Sequence, residues 1–277
     1  MPTGTRLINV FPSDQAAVTA RSEESALFPA GNVRNPYPGI LWRSGGNMNE
    51  TETWVKFDMG AAVEFDYCLA AGANFQSNVT VSVYATDDAN LFSTFTDESD
   101  WIASGVFLGD MKTTERYGRL ALSASVTYQY AIVFVKYPTM QAPSTGTHLG
   151  RLVFGKAVEL PRAMNDGFTD ILVDQSKVSK AGVAYSNRVG IIRDKARVVD
   201  LRWEKLDAAS RANIVSVFES NGLLVPFFLD MYPDDPGAGD LVYGSFSSSP
   251  RISRALLDKF DLRISFEELL GVPNGSA

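Results

Sequence analysis

Alternation of apolar and polar side chains runs through residues 1–160. Val79, Val81 and Val83 fall on one face of an extended segment and Thr80, Ser82 and Tyr84 on the other, the period-two signature of a half-buried strand. The same pattern predicts strands over Leu7–Phe11, Trp54–Asp58, Val63–Ala71, Ile102–Leu108, Arg119–Ser123, Tyr128–Lys136 and Leu149–Gly155. Turn-forming clusters at Asp87-Asp88-Ala89-Asn90 and Pro143-Ser144-Thr145-Gly146 separate some of them. Short strands with few helix signals predict a β-sandwich or jelly roll.

A proline- and glycine-containing break, Glu159 to Gly167, then interrupts the pattern and marks a boundary between units spanning 1–160 and 161–277. The second unit has one clear helix signal, Ala208 to Ser220, with Asp207 as N-cap and Gly222 as its stop. Ala208, Ala212, Val215 and Phe218, with Ile214 beside them, predict its buried stripe. Strands are expected over Val199–Trp203, Pro226–Met231, Leu241–Phe246 and Phe260–Phe266. In the last, Phe260, Leu262, Ile264 and Phe266 point inward and Asp261, Arg263 and Ser265 outward. The predicted fold class is therefore mainly β: a jelly-roll sandwich followed by a small α+β unit, one helix packed on a sheet or barrel. On the outward face, Asp261, Arg263 and Glu267 form a candidate subunit contact, against the plainer reading of a solvated strand face.

Composition narrows the partners. The 277 residues are 45% hydrophobic and 21% charged, and the net charge of −7, without a run of basic residues, argues against nucleic-acid binding. The one cysteine, Cys68, lies in an apolar stretch and is expected as a buried, inert thiol. No stretch approaches the ~18 apolar residues of a spanning helix, so no membrane insertion is expected. No export signal is read at the N-terminus, and synthesis in a cytoplasm is expected.

Catalytic constellations are harder to find. His148 is the only histidine, too few ligands for a zinc site with Cys68 and without the Gly-x-Ser-x-Gly elbow of a serine hydrolase. The carboxylate pairs Asp87-Asp88, Asp97-Glu98, Asp234-Asp235 and Glu267-Glu268 read as solvated turns and ends rather than acid–base pairs or calcium ligands. No glycine loop of phosphate-binding pattern is present. The expectation is a non-enzyme with no cofactor and no metal.

Trp54-Val55-Lys56-Phe57-Asp58-Met59-Gly60 resembles the W-hydrophobic-x-hydrophobic-D-L-G strand of the discoidin, or galactose-binding-like, jelly rolls. Leu41-Trp42-Arg43-Ser44 upstream, and Ala71-Gly72-Ala73-Asn74-Phe75, Val79–Ala85 into Thr86-Asp87-Asp88, Tyr130–Val135 and Leu149–Gly155 downstream, are similar to further segments of that family. Where such domains bind sugars, they do so with loops at one end of the sandwich. The resemblance thus implies a candidate glycan-binding end that includes Asn32–Tyr37 and parts of Asp87–Phe92, with Arg34, Asn35 and Tyr37 as its chemistry. Trp54 and Trp42 are expected to seal the core.

Residues 180–270 resemble a narrower family. Trp203-x-x-Leu206, the helix to Gly222, Pro226-Phe227-Phe228-Leu229-Asp230, Val242-x-Gly244-x-Phe246 and Phe266-Glu267-Glu268-Leu269 are similar in order to the distal tail or minor tail proteins of long-tailed, non-contractile bacteriophages. That resemblance implies a virion protein of the tail tip or baseplate, made in the host cytoplasm. It would form a cyclic homo-oligomer, hexamer before trimer, between tail tube and tail-tip hub proteins, with the jelly roll buttressing the ring or touching a host-surface glycan. The alternatives are a carbohydrate-binding adhesin and an accessory module of a glycoside hydrolase.

Overall fold

Two pairs of strands expected as separate segments run on as two long strands. In the computed structural model, residues 4–45, 51–76, 78–94, 97–137, 146–160, 169–174, 177–181, 187–191, 195–233 and 240–269 are described. Residues 161–167 of the expected break, the pair Asp234-Asp235 and turn residues 143–145 lie outside them. The strands in order are β1 (Arg6–Val10), β2 (Ala17–Ala20), β3 (Trp42–Arg43), β4 (Glu52–Ala71), β5 (Thr80–Thr86), β6 (Val106–Asp110), β7 (Lys112–Thr113), β8 (Tyr117–Lys136), β9 (His148–Leu149) and β10 (Arg151–Glu159). The second half adds β11 (Thr169–Asp174), β12 (Lys177–Ala181), β13 (Asn187–Ile191), β14 (Lys195–Leu206), β15 (Phe227–Asp230), β16 (Leu241–Phe246), β17 (Arg251–Leu256) and β18 (Lys259–Glu268). Three α-helices are described: α1 (Ala89–Thr94), α2 (Glu98–Ser104) and α3 (Ala208–Asn221).

Asp58, where the expected strand ends, instead leads into a bulge inside β4. Pairing with β8 jumps from Asp58↔Tyr130 to Val63↔Tyr128, so residues 59–62 oppose Gln129 alone. Gly60 takes φ 75°, and its N–H donates to Asp58 Oδ1 at 2.8 Å. Beyond the bulge the two strands enter a different layer. The first half of β4 and the second half of β8 lie between β2 and β5. The second half of β4 pairs with the first half of β8 and with β10. The layers face each other across the interior, where Phe154 of β10 meets Phe57 at 5.3 Å and Phe65 at 5.0 Å edge-on. Trp42, Val55, Val81, Val83 and Val133 complete this sandwich core.

The segment 98–104 corrects the sequence reading, which placed a strand over Ile102–Leu108. Acidic Glu98 and Asp100 sit in the first turn of a helix, where they complement its dipole, and a strand begins only at Val106. The helical conformation buries Trp101 completely against Trp54, Tyr84, Leu91, Ile132 and Phe134. The short helices α1 and α2 thus cover the outer face of the sandwich, and both faces of β5 are buried. Trp54 is core, as expected, but of this outer cluster rather than of the sandwich interior.

β1 pairs with β10 on one edge and β15 on the other, so a single sheet runs from the sandwich into the second half in the order β11-β14-β18-β16-β15-β1-β10. Its alternation serves two cores. Leu7 is buried with Trp203, Phe227 and Phe266, while Ile8 packs with Tyr67, Phe228 and Tyr243. Helix α3 is capped as expected: the Ser210 N–H donates to Asp207 Oδ1 at 2.7 Å, and the Gly222 N–H to the Phe218 carbonyl at 2.7 Å. Its buried stripe differs, being Ser210, Ile214, Val217 and Asn221, with Ala208 and Ala212 exposed. Two polar side chains can sit on that face because each is bonded: Ser210 Oγ to Asp207 at 2.6 Å, and Asn221 Oδ1 from Asn9 Nδ2 at 3.1 Å. The alternation of β18 holds, with Leu262, Ile264 and Phe266 buried and Arg263 and Glu267 exposed.

Candidate functional site

The loop expected to meet a glycan is held by the chain itself. Arg34 ends a 3-10 turn over Ala30–Arg34, and its Nη1 donates to the Ala16 carbonyl at 2.6 Å. Its own carbonyl accepts from Arg151, which is 1% exposed and paired with Asp14 at 2.8 Å. Asn35 Oδ1 accepts the Tyr37 N–H at 2.9 Å, closing a local turn. From the second half, Tyr243 Oη donates to the Pro36 carbonyl at 2.7 Å. Of the three residues Tyr37 is the exposed one, at 56%, and Ile40 in the same loop is 43% exposed. Arg34 and Asn35 are half-buried beside Tyr37.

The candidate contact on β18 is arranged differently from its sequence spacing. Arg263 pairs with Asp200 of β14 at 3.2 Å rather than with Asp261 or Glu267. Asp261 Oδ1 accepts the backbone N–H of Lys205, a residue at φ 58°. Glu267 is exposed near the other end of the strand. Asp261 and Arg263, but not Glu267, line an open groove of 470 Å³ that Arg202 and Arg251 also line.

Groups considered for chemistry have structural surroundings. His148 has its pKa lowered to about 4 by burial and by nearby Arg43, and its backbone N–H donates to Asn74 Oδ1 at 2.8 Å. Burial pushes the Cys68 thiol far above its ordinary value, in the inert direction. Asp87 accepts the Gln129 N–H, Asp88 accepts the Asn90 N–H at the start of α1, and Glu98 accepts from Tyr84 Oη and Lys136. Among the described residues no group of three metal-ligating side chains occurs, and no helix is long and apolar enough to cross a membrane.

Sequence reasoning missed two features. The first is a buried polar seam between the halves: Arg119 Nη1 lies 2.7 Å from Asp230 Oδ1, Tyr67 Oη donates to Asp230 Oδ2 at 3.1 Å, and Tyr117 Oη donates to Glu268 at 2.5 Å. Polar residues in alternating strands read as surface, so no local signal marks them. The second is a four-stranded wing, β11-β14-β18-β17, in which, among the described residues, β11 pairs only with β14 and β17 only with β18. Ile171, Leu172 and Val173 on β11 are 48%, 64% and 39% exposed, and Leu256 and Leu257 at the β17–β18 tip are 61% and 79% exposed. The run Thr169-Asp170-Ile171-Leu172-Val173 carried a strand signal that its position just after the break obscured.

No family model and no curated protein matches the chain. Among solved structures it is similar to chitosan-binding module 1 of a chitosanase/glucanase from Paenibacillus sp. IK-5, at 14% identity over 52% of this chain and 98% of the module, TM-score 0.40. It is similar also to the family 32 carbohydrate-binding module of Clostridium perfringens NanJ, solved with galactose, at 9% identity over 55% of this chain and 99% of that one, TM-score 0.40. A Ruminococcus gnavus GH29 fucosidase matches at 12% identity over 54% of this chain and 27% of the enzyme, TM-score 0.41.

Proposed function

We propose that this protein is a non-catalytic structural component of a bacteriophage tail tip, in which the second half closes a ring and the sandwich rides on its outside. The observation that supports ring closure is the wing, whose two outer edges are unpaired among the described residues. Every pairing in β11-β14-β18-β17 is antiparallel, so β17 and β11 run in opposite directions. A neighbour related by rotation about an axis along the strands keeps its strand directions, so its β11 would lie antiparallel to the first copy's β17. Such a head-to-tail contact uses two different surfaces and repeats until it closes. The exposed Ile171, Leu172 and Val173 on that edge are what an unpartnered chain would avoid and an assembled one covers.

Geometry favours six copies over three. At ~4.8 Å per strand, twelve strands close a cylinder about 18 Å across, which side chains fill, whereas twenty-four close one about 37 Å across and leave a channel. The channel would be lined by the polar face of β14 and β18, since their other face packs into the core beneath α3. Averaged density of a tail tip containing this chain is expected to show a closed ring of it; a single copy at that level overturns the reading.

A second reading, glycan binding by the sandwich, is favoured by the exposed Tyr37 ring, a surface on which a sugar face can stack. The carbohydrate-binding modules that the chain is similar to are proteins of that role. A glycan array with the whole chain and with Tyr37→Ala decides it: binding lost in the variant supports a lectin-like role, and no binding by either leaves the sandwich a buttress.

A further inference from the structure

Three arginines stand side by side across the polar face of the wing. Arg202 of β14 is the direct partner of Arg263 of β18, and Arg263 is the direct partner of Arg251 of β17, so all three guanidinium groups leave the same face of adjacent strands. Like charges directly opposite one another on a sheet are destabilising. Here the compensation is partial: Arg202 pairs along its own strand with Glu204 at 3.0 Å, and Arg263 pairs diagonally with Asp200 at 3.2 Å. Arg251, exposed, makes no ion pair with a described residue. The row is the positive band of the 470 Å³ groove, and Asp200 on one side and Asp261 on the other bound it.

We propose that this groove binds an acidic peptide segment of a partner protein, its carboxylates laid on the arginine row. The row spans two strand spacings, about 10 Å, and the side chains of alternate residues in an extended peptide lie about 7 Å apart, so two carboxylates fit within it. Arginine suits this because its planar fork takes a carboxylate bidentately. The flanking Asp200 and Asp261 limit the ligand to discrete charges. A continuous phosphate backbone crossing the groove would meet a carboxylate on either side of the row, which disfavours nucleic acid. The groove is complete within one chain, so the inference holds whether or not a ring closes.

The test titrates the full chain with a dye-labelled, end-blocked peptide of alternating serine and glutamate. The comparisons are its lysine counterpart and a single-stranded oligonucleotide, at low and at physiological ionic strength. Binding is expected for the glutamate peptide alone, weakening with salt and falling about tenfold or more in Arg251→Gln/Arg263→Gln, which removes two of the three forks. Arg251→Gln alone is expected to weaken binding while leaving the melting temperature unchanged or raised, because it relieves repulsion without breaking a pair. No binding by the native chain, equal binding by the double variant, or equal affinity for the oligonucleotide would each overturn the proposal.

Discussion

Replacing Arg119 with methionine asks whether the two halves stand as one folded unit. Arg119 belongs to the sandwich and Asp230 to the second half, and at 3% and 0% exposure their contact is out of water. Arg119 also donates to the Tyr232 carbonyl at 3.0 Å. Methionine keeps much of the stem but leaves the Asp230 carboxylate buried with Tyr67 as its remaining described donor. Breaking a buried pair from one side costs about 3–5 kcal/mol. With an unfolding entropy of about 2.1 cal/mol/K per residue, a 277-residue chain melting as one unit should lose roughly 5–9 °C.

The loss should depend on pH. Burial raises the Asp230 pKa above its ordinary value, although Arg119 and Tyr67 pull it back, and removing Arg119 lets it rise further. A carboxyl whose folded pKa exceeds its unfolded one stabilises the fold fully below the unfolded value and loses that contribution as pH rises through the folded value. The deficit of Arg119→Met is therefore largest at neutral pH and shrinks as the solution is acidified. Adding Asp230→Leu should recover most of the neutral-pH deficit, since an apolar pair replaces an orphaned charge. Calorimetric melting of the four species across pH measures this. A single variant that melts within a degree of the native chain at neutral pH, or a double variant as unstable as the two single losses combined, would refute the reasoning.

Three further expectations follow from the packing. Trp101→Ala empties the cluster under α2 and should cost about 3–5 kcal/mol in chemical denaturation; a cost below 1 kcal/mol would mean that the helices add little to the sandwich. Arg254→Pro on the outer strand of the wing, a position paired with Phe260 whose N–H faces away from β18, should leave a folded chain by circular dichroism and abolish ring assembly, because proline removes a donor that an added strand needs; normal assembly would move the contact elsewhere. Asp207→Ala should lower the melting temperature at neutral pH. The Asp207 pKa is depressed by its hydrogen bonds from Ser210, so that stabilisation is present above the ordinary carboxylate value and disappears as pH falls through the folded one, where variant and native chain should converge.

What the sequence determined by itself is the local physics. Period-two alternation identified β5, both halves of β4 and β8, and the inward face of β18, because side-chain direction in a strand follows from its backbone. The caps of α3 were legible for the same reason, since Asp207 and Gly222 act within a few residues of their targets. The exposed Tyr37 was legible as chemistry, but not the commitment of Arg34 and Asn35 to the chain's own backbone. Tertiary structure alone decided how β1 joins two cores, that Arg119 finds Asp230, and that Ser210 and Asn221 rather than Ala208 and Ala212 face inward. It also decided that Arg202, Arg263 and Arg251 share one row. These arrangements depend on how elements distant in sequence are placed against one another. A polar residue carries no local sign of whether its partner is water or a charge a hundred residues away.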